Sequence, residues 1–308
     1  MFKNQQIQRS YQSSDPYDDK IDAMAKYVEK INRSVDGKPA LTDFIENFGD
    51  TVKYCIPENQ TDLNKHKNDI EQNFASYELE ISKMLPLTAS KSKVETEFNR
   101  MNDFFDGNYL IFSGRLNFKE ADNIGEAHTV VCGVEHKLFK MNVAAEGPYY
   151  EGSPLNNKQM DVWINVDSFL IKDSDGNEII DPWREGTVNQ RIKDSFWHEI
   201  GHTFGSNHPF EAKFSDETIE TMNQNPDIFY SNMLYYSEQG GIKFTKLDGG
   251  DPTKSEIDFR IADKMAIDFA LMKTTEKGKD VTAEQFAKAY YLIQYLGEKE
   301  IFNHKETR

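Results

Sequence analysis

The stretch "SFWHEIGHTFGSNHPFE", residues 195 to 211, holds three of the seven histidines in a chain of 308 residues. Their spacing restricts the fold more than any other feature. Thr187 and Gln190 form a capping-box pattern, and from Val188 to Phe204 only Gly201 interrupts a run of helix-compatible residues. On such a helix His198 and His202, four apart, project from one face about one turn from each other, so two imidazole nitrogens can reach one ion. Gly205 suits a left-handed helix stop, after which the chain can turn back and offer His208 as a third nitrogen ligand. Three neutral ligands leave a zinc ion its full charge and an open position, where it polarises a carbonyl and makes water acidic. Glu199, beside the first histidine, is placed to take a proton from that water. The expected cofactor is one catalytic zinc ion. His66, His128, His136 and His304 have no partner spacing and read as ordinary surface or packing histidines.

Charge and hydropathy narrow the partners. Against 52 acidic residues stand 36 basic ones, a formal net charge of −16, which argues against a nucleic-acid backbone or an anionic membrane surface as the main partner. The first twenty residues lack the apolar centre of an ordinary secretory signal, and no stretch is apolar enough to span a bilayer. With only Cys55 and Cys132, the chain has no disulfide framework.

Along the chain, residues 1–19 read as a polar tail, with Ser13-Ser14-Asp15-Pro16 breaking regular structure. Ile21, Met24, Ala25, Val28 and Ile31 recur at helical spacing, "VDGKPALT" supplies a turn, and a short helix and the strand "TVKYCIP" follow. A longer helix is expected to carry Ile70, Phe74, Tyr77, Ile81 and Met84 on one stripe and to end at Pro86. Val94, Phe98 and Met101 suggest a helix; "NYLIFSG", "RLNF", "HTVVCGV" and "MDVWINV" suggest strands. "KLFKMNVAA" alternates like a half-exposed edge strand. "KDSDGNEI" reads as a hairpin turn; its "DSDGN" lacks the further ligands of a calcium loop, so calcium is not expected. Thr282 and Gln285 form another capping box ahead of Phe286, Ala289, Ile293 and Leu296.

"HEIGHTFGSNH" matches the pattern His-Glu-x-x-His-x-x-Gly-x-x-His, and the chain thereby resembles the metzincin zinc endopeptidases. "SNMLYY" resembles the family's methionine turn, with Met233 as the floor under the zinc site and Tyr235 as an additional zinc ligand that stabilises the oxyanion. Pro209 after the third histidine is similar to the serralysin branch. So are "DVWINV", "VDGKPALT" and "EIDFRIADKMAIDF", which spread the resemblance over residues 20 to 272. The chain departs from serralysins in lacking their Gly-Gly-x-Gly-x-Asp repeats, since "LDGGDPTKSE" stands alone.

The resemblance implies an α/β metzincin (zincin-like) fold: a twisted, five-stranded mixed sheet, a long active-site helix and a smaller irregular part after Gly205. The implied organisation is a tail over 1–19, a protease domain over 20–275 with its upper part ending near 205, and a helical extension over 276–308. It places Cys55 and Cys132 on neighbouring strands, and makes "KLFKMNVAA" the antiparallel edge that aligns an extended protein or peptide substrate. The implied roles are His198, His202, His208 and Tyr235 on zinc, Glu199 as general base and then acid, and Gly205 and Met233 as support. The expectation is a monomeric zinc endopeptidase, secreted or delivered without an N-terminal signal peptide as a toxin or virulence factor. The alternatives are a cytoplasmic location and a catalytically silent zinc-binding module derived from a protease.

Overall fold

The fold, taken from a computed structural model, is described over residues 16–73, 84–87, 91–106, 115–134, 145–147, 161–165, 170–172, 178–180, 196–231, 233, 240–242 and 261–296. It is a mixed α/β architecture. Helix α1 (Pro16–Ile31) buries Ile21, Met24, Ala25, Val28 and Ile31 along one stripe. It begins inside the stretch read as tail, because Pro16 occupies the first helical position, where a missing N–H costs nothing, and so opens the helix instead of breaking order. The next turn joins β1 (Ser34–Val35) to β2 (Lys38–Pro39), with Val35 opposite Lys38. Asp36 and Gly37, at φ 49° and 82°, both take the left-handed conformation that a two-residue hairpin of matching twist demands.

Helix α2 (Ala40–Phe48) leads into β3 (Thr51–Cys55), then α3 (Gln60–Asn73) and β4 (Met84–Leu85). The long stripe through Met84 is therefore not one helix. Met84 and Leu85 pair antiparallel with Val134 and Gly133, and residues 74–83 lie outside the described residues. Helix α4 (Lys91–Asp106) uses Val94, Phe98 and Met101 as its buried face, and β5 (Asn117–Glu120) and β6 (Thr129–Val134) follow. The remaining strands are β7 (Ala145–Glu146), β8 (Val162–Asn165), β9 (Leu170–Lys172) and β10 (Glu178–Ile180). The last two form the antiparallel pair expected around "KDSDGNEI", whose "DSDGN" lies outside the described residues.

The main sheet runs β5-β3-β6-β8-β7. Its first four strands are mutually parallel, and β7 closes the row antiparallel to β8. This is the five-stranded mixed path that was expected. β4 adds to it by lying on the same flank of β6 as β3, which pairs with Thr129 and Val130 while β4 takes Gly133 and Val134. β7 starts on the last residue of the predicted edge segment, Ala145, and runs one residue past it to Glu146; residues 137–144 lie outside the described residues. Cys55 sits opposite Val130, two residues from Cys132, so the cysteines occupy neighbouring strands, and no disulfide joins them.

Helix α5 (196–203) is followed by α6 (Asp216–Gln224), α7 (Pro226–Phe229), α8 (Ile261–Met272) and α9 (Ala283–Leu296). Two cores organise these elements. The first packs Phe44, Val52, Phe98, Phe118, Val131 and Ile164 against Phe196, Trp197 and Ile200 of α5 and against Phe204 just after it. The second joins α1 to α6, α7 and α9 through residues such as Met24, Tyr27, Met222, Phe229 and Phe286. α8 has a side in each, with Ile267, Ala270 and Leu271 in the first and Ala262, Met265, Ala266 and Phe269 in the second. Thus α1 precedes the sheet in the chain yet packs with the helices that follow Gly205. Among the described residues no helix is long and apolar enough to cross a membrane.

His66 and His128 are packing groups. His66 Nε2 meets Asp161 Oδ2 at 2.5 Å in a fully buried pair, and Asp161 Oδ1 accepts the Val130 N–H at 2.9 Å. His128 Nδ1 accepts the Lys53 N–H at 3.1 Å beside Phe44 and Phe48. His136 and His304 lie outside the described residues.

Candidate metal centre

The apolar residues of α5 point into the sheet core, which turns His198, Glu199 and His202 to the opposite side; all three are nonetheless buried. A polar clamp holds the helix from behind. Trp197 Nε1 donates to the buried Glu97 Oε2 on α4 at 2.9 Å, Arg100 Nη1 donates to the same oxygen at 3.1 Å, and the Arg100 guanidinium lies over the indole.

The helix ends in a Schellman motif. The Ser206 N–H reaches the Gly201 carbonyl at 3.1 Å and the Gly205 N–H reaches the His202 carbonyl at 2.8 Å, with Gly205 at φ 84°. A side chain at Gly205 would be strained by that φ, and its Cβ would lie 2.5 Å from the Ala40 Cβ. The reversal brings His208 back over α5. His208 Nε2 lies 3.1 Å from His198 Nε2 and 3.1 Å from His202 Nε2.

The donor chemistry fits a cation. His202 Nδ1 lies 2.8 Å from the Ser206 carbonyl, which can only accept, so the proton of the neutral ring sits on Nδ1 and Nε2 presents a lone pair. His208 Nδ1 lies 3.3 Å from Glu211 Oε2, which favours the same tautomer. Lone pairs facing one another at 3.1 Å repel unless a cation lies between them. Tetrahedral zinc with ordinary zinc–nitrogen bonds separates its nitrogens by about 3.3 Å. The ring nitrogens of these three histidines fall within 4.8 Å of one another, and they are the metal-capable cluster found among the described residues. Burial holds the His202 pKa well below the ordinary histidine value, reinforced by His198 and His208. Burial also lowers that of His208, against the opposing pull of Glu211. Both rings are therefore neutral near pH 7, as ligands must be.

Glu199 is approached closely by Gly147, the residue after edge strand β7. A Cβ on Gly147 would lie 2.6 Å from the Glu199 carbonyl oxygen and 3.0 Å from its Cβ. Met233 is buried in a turn whose N–H donates to Ser231 Oγ at 2.9 Å, and the Ser231 hydroxyl donates to Asp263 Oδ1 at 2.5 Å. Tyr235 lies outside the described residues.

Sequence reasoning missed several of these supports. Glu211 had a faint signal, three residues past His208 in the one-turn helix Pro209–Glu211, where Phe210 stacks on the His208 ring at 4.8 Å. Ser231, two residues before Met233, had the spacing of a serine turn. Gly147 had none, because its role is a contact distant in sequence.

No family model matches the chain. It is 26% identical over 148 residues to a protein named serralysin from Photorhabdus luminescens, and the match covers 46% of this chain and 27% of that protein's length. Over less than half of its length, then, the chain is similar to a serralysin, and its buried histidine trio is compatible with zinc.

Proposed function

We propose that this chain is a zinc-dependent endopeptidase of the metzincin kind, acting on protein segments bound in extended form. The observation that carries the reading is the convergence of the His198, His202 and His208 Nε2 atoms beside Glu199. Bound zinc would supply Lewis-acid chemistry, polarising the peptide carbonyl and acidifying water.

The chain's own residues do the rest. His198, His202 and His208 hold the ion, with the Ser206 carbonyl and the Glu211 carboxylate orienting the last two rings. Glu199, buried and one residue from the first ligand, takes the proton of the attacking water and returns it to the departing amine. Tyr235 is assigned to the oxyanion and Met233 to the floor of the site by the metzincin resemblance. Among the described strands β7 pairs with β8 alone, leaving its other edge to bind an extended peptide whose backbone then runs past Gly147 toward Glu199. Action outside the producing cell follows the same resemblance.

The test is cleavage of unfolded casein by zinc-loaded wild type and by Glu199→Ala, with metal content measured on both. The expected result is stoichiometric zinc in each and cutting by wild type alone, with a rate loss of about 10²–10⁴-fold in the variant. Zinc in both and cutting by neither would favour the catalytically silent module.

A further inference from the structure

We propose that Asn32, at the C-terminal end of α1, is a positioning residue of the metal centre. Its side chain latches the turn carrying Ser206 and His208 onto α1 and α8. This rests on reading the three histidines as a metal centre.

The turn after α5 uses its backbone groups fully. The Gly205 and Ser206 N–H groups cap α5, and the Ser206 carbonyl faces His202 Nδ1. The remaining groups point toward α1. Arg33 N–H donates to the Gly205 carbonyl at 2.6 Å, Asn207 N–H donates to the Ile31 carbonyl at 2.8 Å, and Asn32 and Ser206 form an antiparallel bridge between them. The turn that orients one ligand and delivers another is thus a short β-pairing partner of residues 31–33.

Such a two-bond ladder is weak unless its other half is fixed, and the Asn32 side chain fixes it. One Nδ2 hydrogen goes to the Val28 carbonyl in the last turn of α1 at 2.9 Å. The other goes to the Ala266 carbonyl of α8 at 3.1 Å. The amide hydrogens are both spent, each on a different helix. A continuous set of contacts therefore runs from α8 through Asn32 and Ser206 to His202. Asparagine suits this place because two carbonyls face it and it alone among side chains of that size offers two donors from one atom.

The measurement is zinc affinity, by chelator competition, of full-length wild type, Asn32→Ala and Asn32→Asp, together with the visible spectrum of each loaded with cobalt. Asn32 is only half-buried, so both variants are expected to fold, and Asn32→Asp keeps the shape while setting oxygen against two carbonyls. Outer-sphere partners of ligating histidines typically govern affinity by at least tenfold, so each variant should bind zinc about tenfold more weakly and give an altered cobalt spectrum. Melting of the metal-free proteins separates this from general destabilisation. A lowered melting temperature with unchanged zinc affinity and spectrum would make Asn32 merely structural and overturn the proposal. A wild type that binds no zinc would instead remove the metal reading beneath it. If the variants do not fold, hydrogen exchange on wild type decides. Coupling is reciprocal, so zinc should slow exchange at Arg33 and Asn207, and equal exchange with and without zinc refutes the latch.

Discussion

Gly147→Ala offers a test of the active-site geometry that replaces no proposed ligand or proton carrier. The φ of Gly147 lies outside the left-handed range, so alanine meets no backbone objection; the obstacle is space alone. The added methyl would sit 2.6 Å from the Glu199 carbonyl oxygen, about 0.8 Å short of the 3.4 Å at which ordinary contact begins, with Glu199 Cβ and carbonyl carbon also close at 3.0 and 3.1 Å. The atoms in the way are mainly helix backbone, which cannot swing aside. Either α5 moves at Glu199 or the end of β7 retreats, and both change the distance between the edge that holds the substrate and the group that takes the proton. Misplacement by about 1 Å can cost roughly 100-fold in rate, equivalent to about 2.7 kcal/mol of transition-state stabilisation. Overpacking of this kind destabilises by about 1–3 kcal/mol, little enough for the protein to stay folded. The assay is steady-state cleavage of a fluorogenic peptide, with zinc content and urea unfolding measured on the same preparations. The expected outcome is a kcat lowered about 100-fold with zinc retained. A folded variant with wild-type kcat would mean that the β7 edge and Glu199 do not work on the same substrate.

Two further predictions concern the groups behind the site. Trp197→Phe removes the donor to the buried Glu97 carboxylate and should lower the unfolding free energy by about 2–3 kcal/mol, read from urea denaturation; an unchanged midpoint would show that the clamp contributes nothing. Burial, reinforced by Glu120, pushes the Cys55 thiol up to about 11. Its thiolate is therefore scarce at neutral pH, and alkylation of the native protein should be slow at pH 8 and quicken with each pH step toward 11. A rate that levels off near pH 9 would contradict this.

How much of this the sequence made legible depended on whether a feature repeats locally. The stripe of α1 and the reciprocal cap of α9, where Thr282 N–H donates to Gln285 Oε1 at 3.0 Å and Gln285 N–H to Thr282 Oγ1 at 3.2 Å, could be read because their partners are near in sequence. The histidine trio was legible for the same reason, since ten residues of chain and one glycine bring all three rings together. Met84 misled because a few apolar residues at helical spacing also suit a strand, and only β6, some fifty residues on, decides between them. Asn32, Gly147 and the Glu97 clamp are of that second kind. Each acts on α5 or its turn from a distant part of the chain, and no local pattern announces it.

The division of labour between the two cores accounts for where these hidden supports lie. Apolar packing seats α5, whose Phe196, Trp197 and Ile200 lie in the sheet core with Phe204 just beyond them, and the Glu97 clamp fastens Trp197 from behind, so His198 and His202 are carried by a rigid element. His208 is not on that element. It follows a glycine turn outside the helix, and for such a segment burial gives little directional control, because hydrophobic contacts do not specify orientation. Hydrogen bonds do, and they are what the turn is given: the Schellman pair to α5 and the ladder to residues 31–33, while the Glu211 carboxylate lies 3.3 Å from His208 Nδ1. The ladder belongs to α1, whose stripe lies in the second core, and α8 contributes to both. The third ligand is thus held where the cores meet. Its position relative to the other two depends on how α1 is seated against α8, which makes an N-terminal helix, far from the zinc signature in sequence, part of the metal centre's frame.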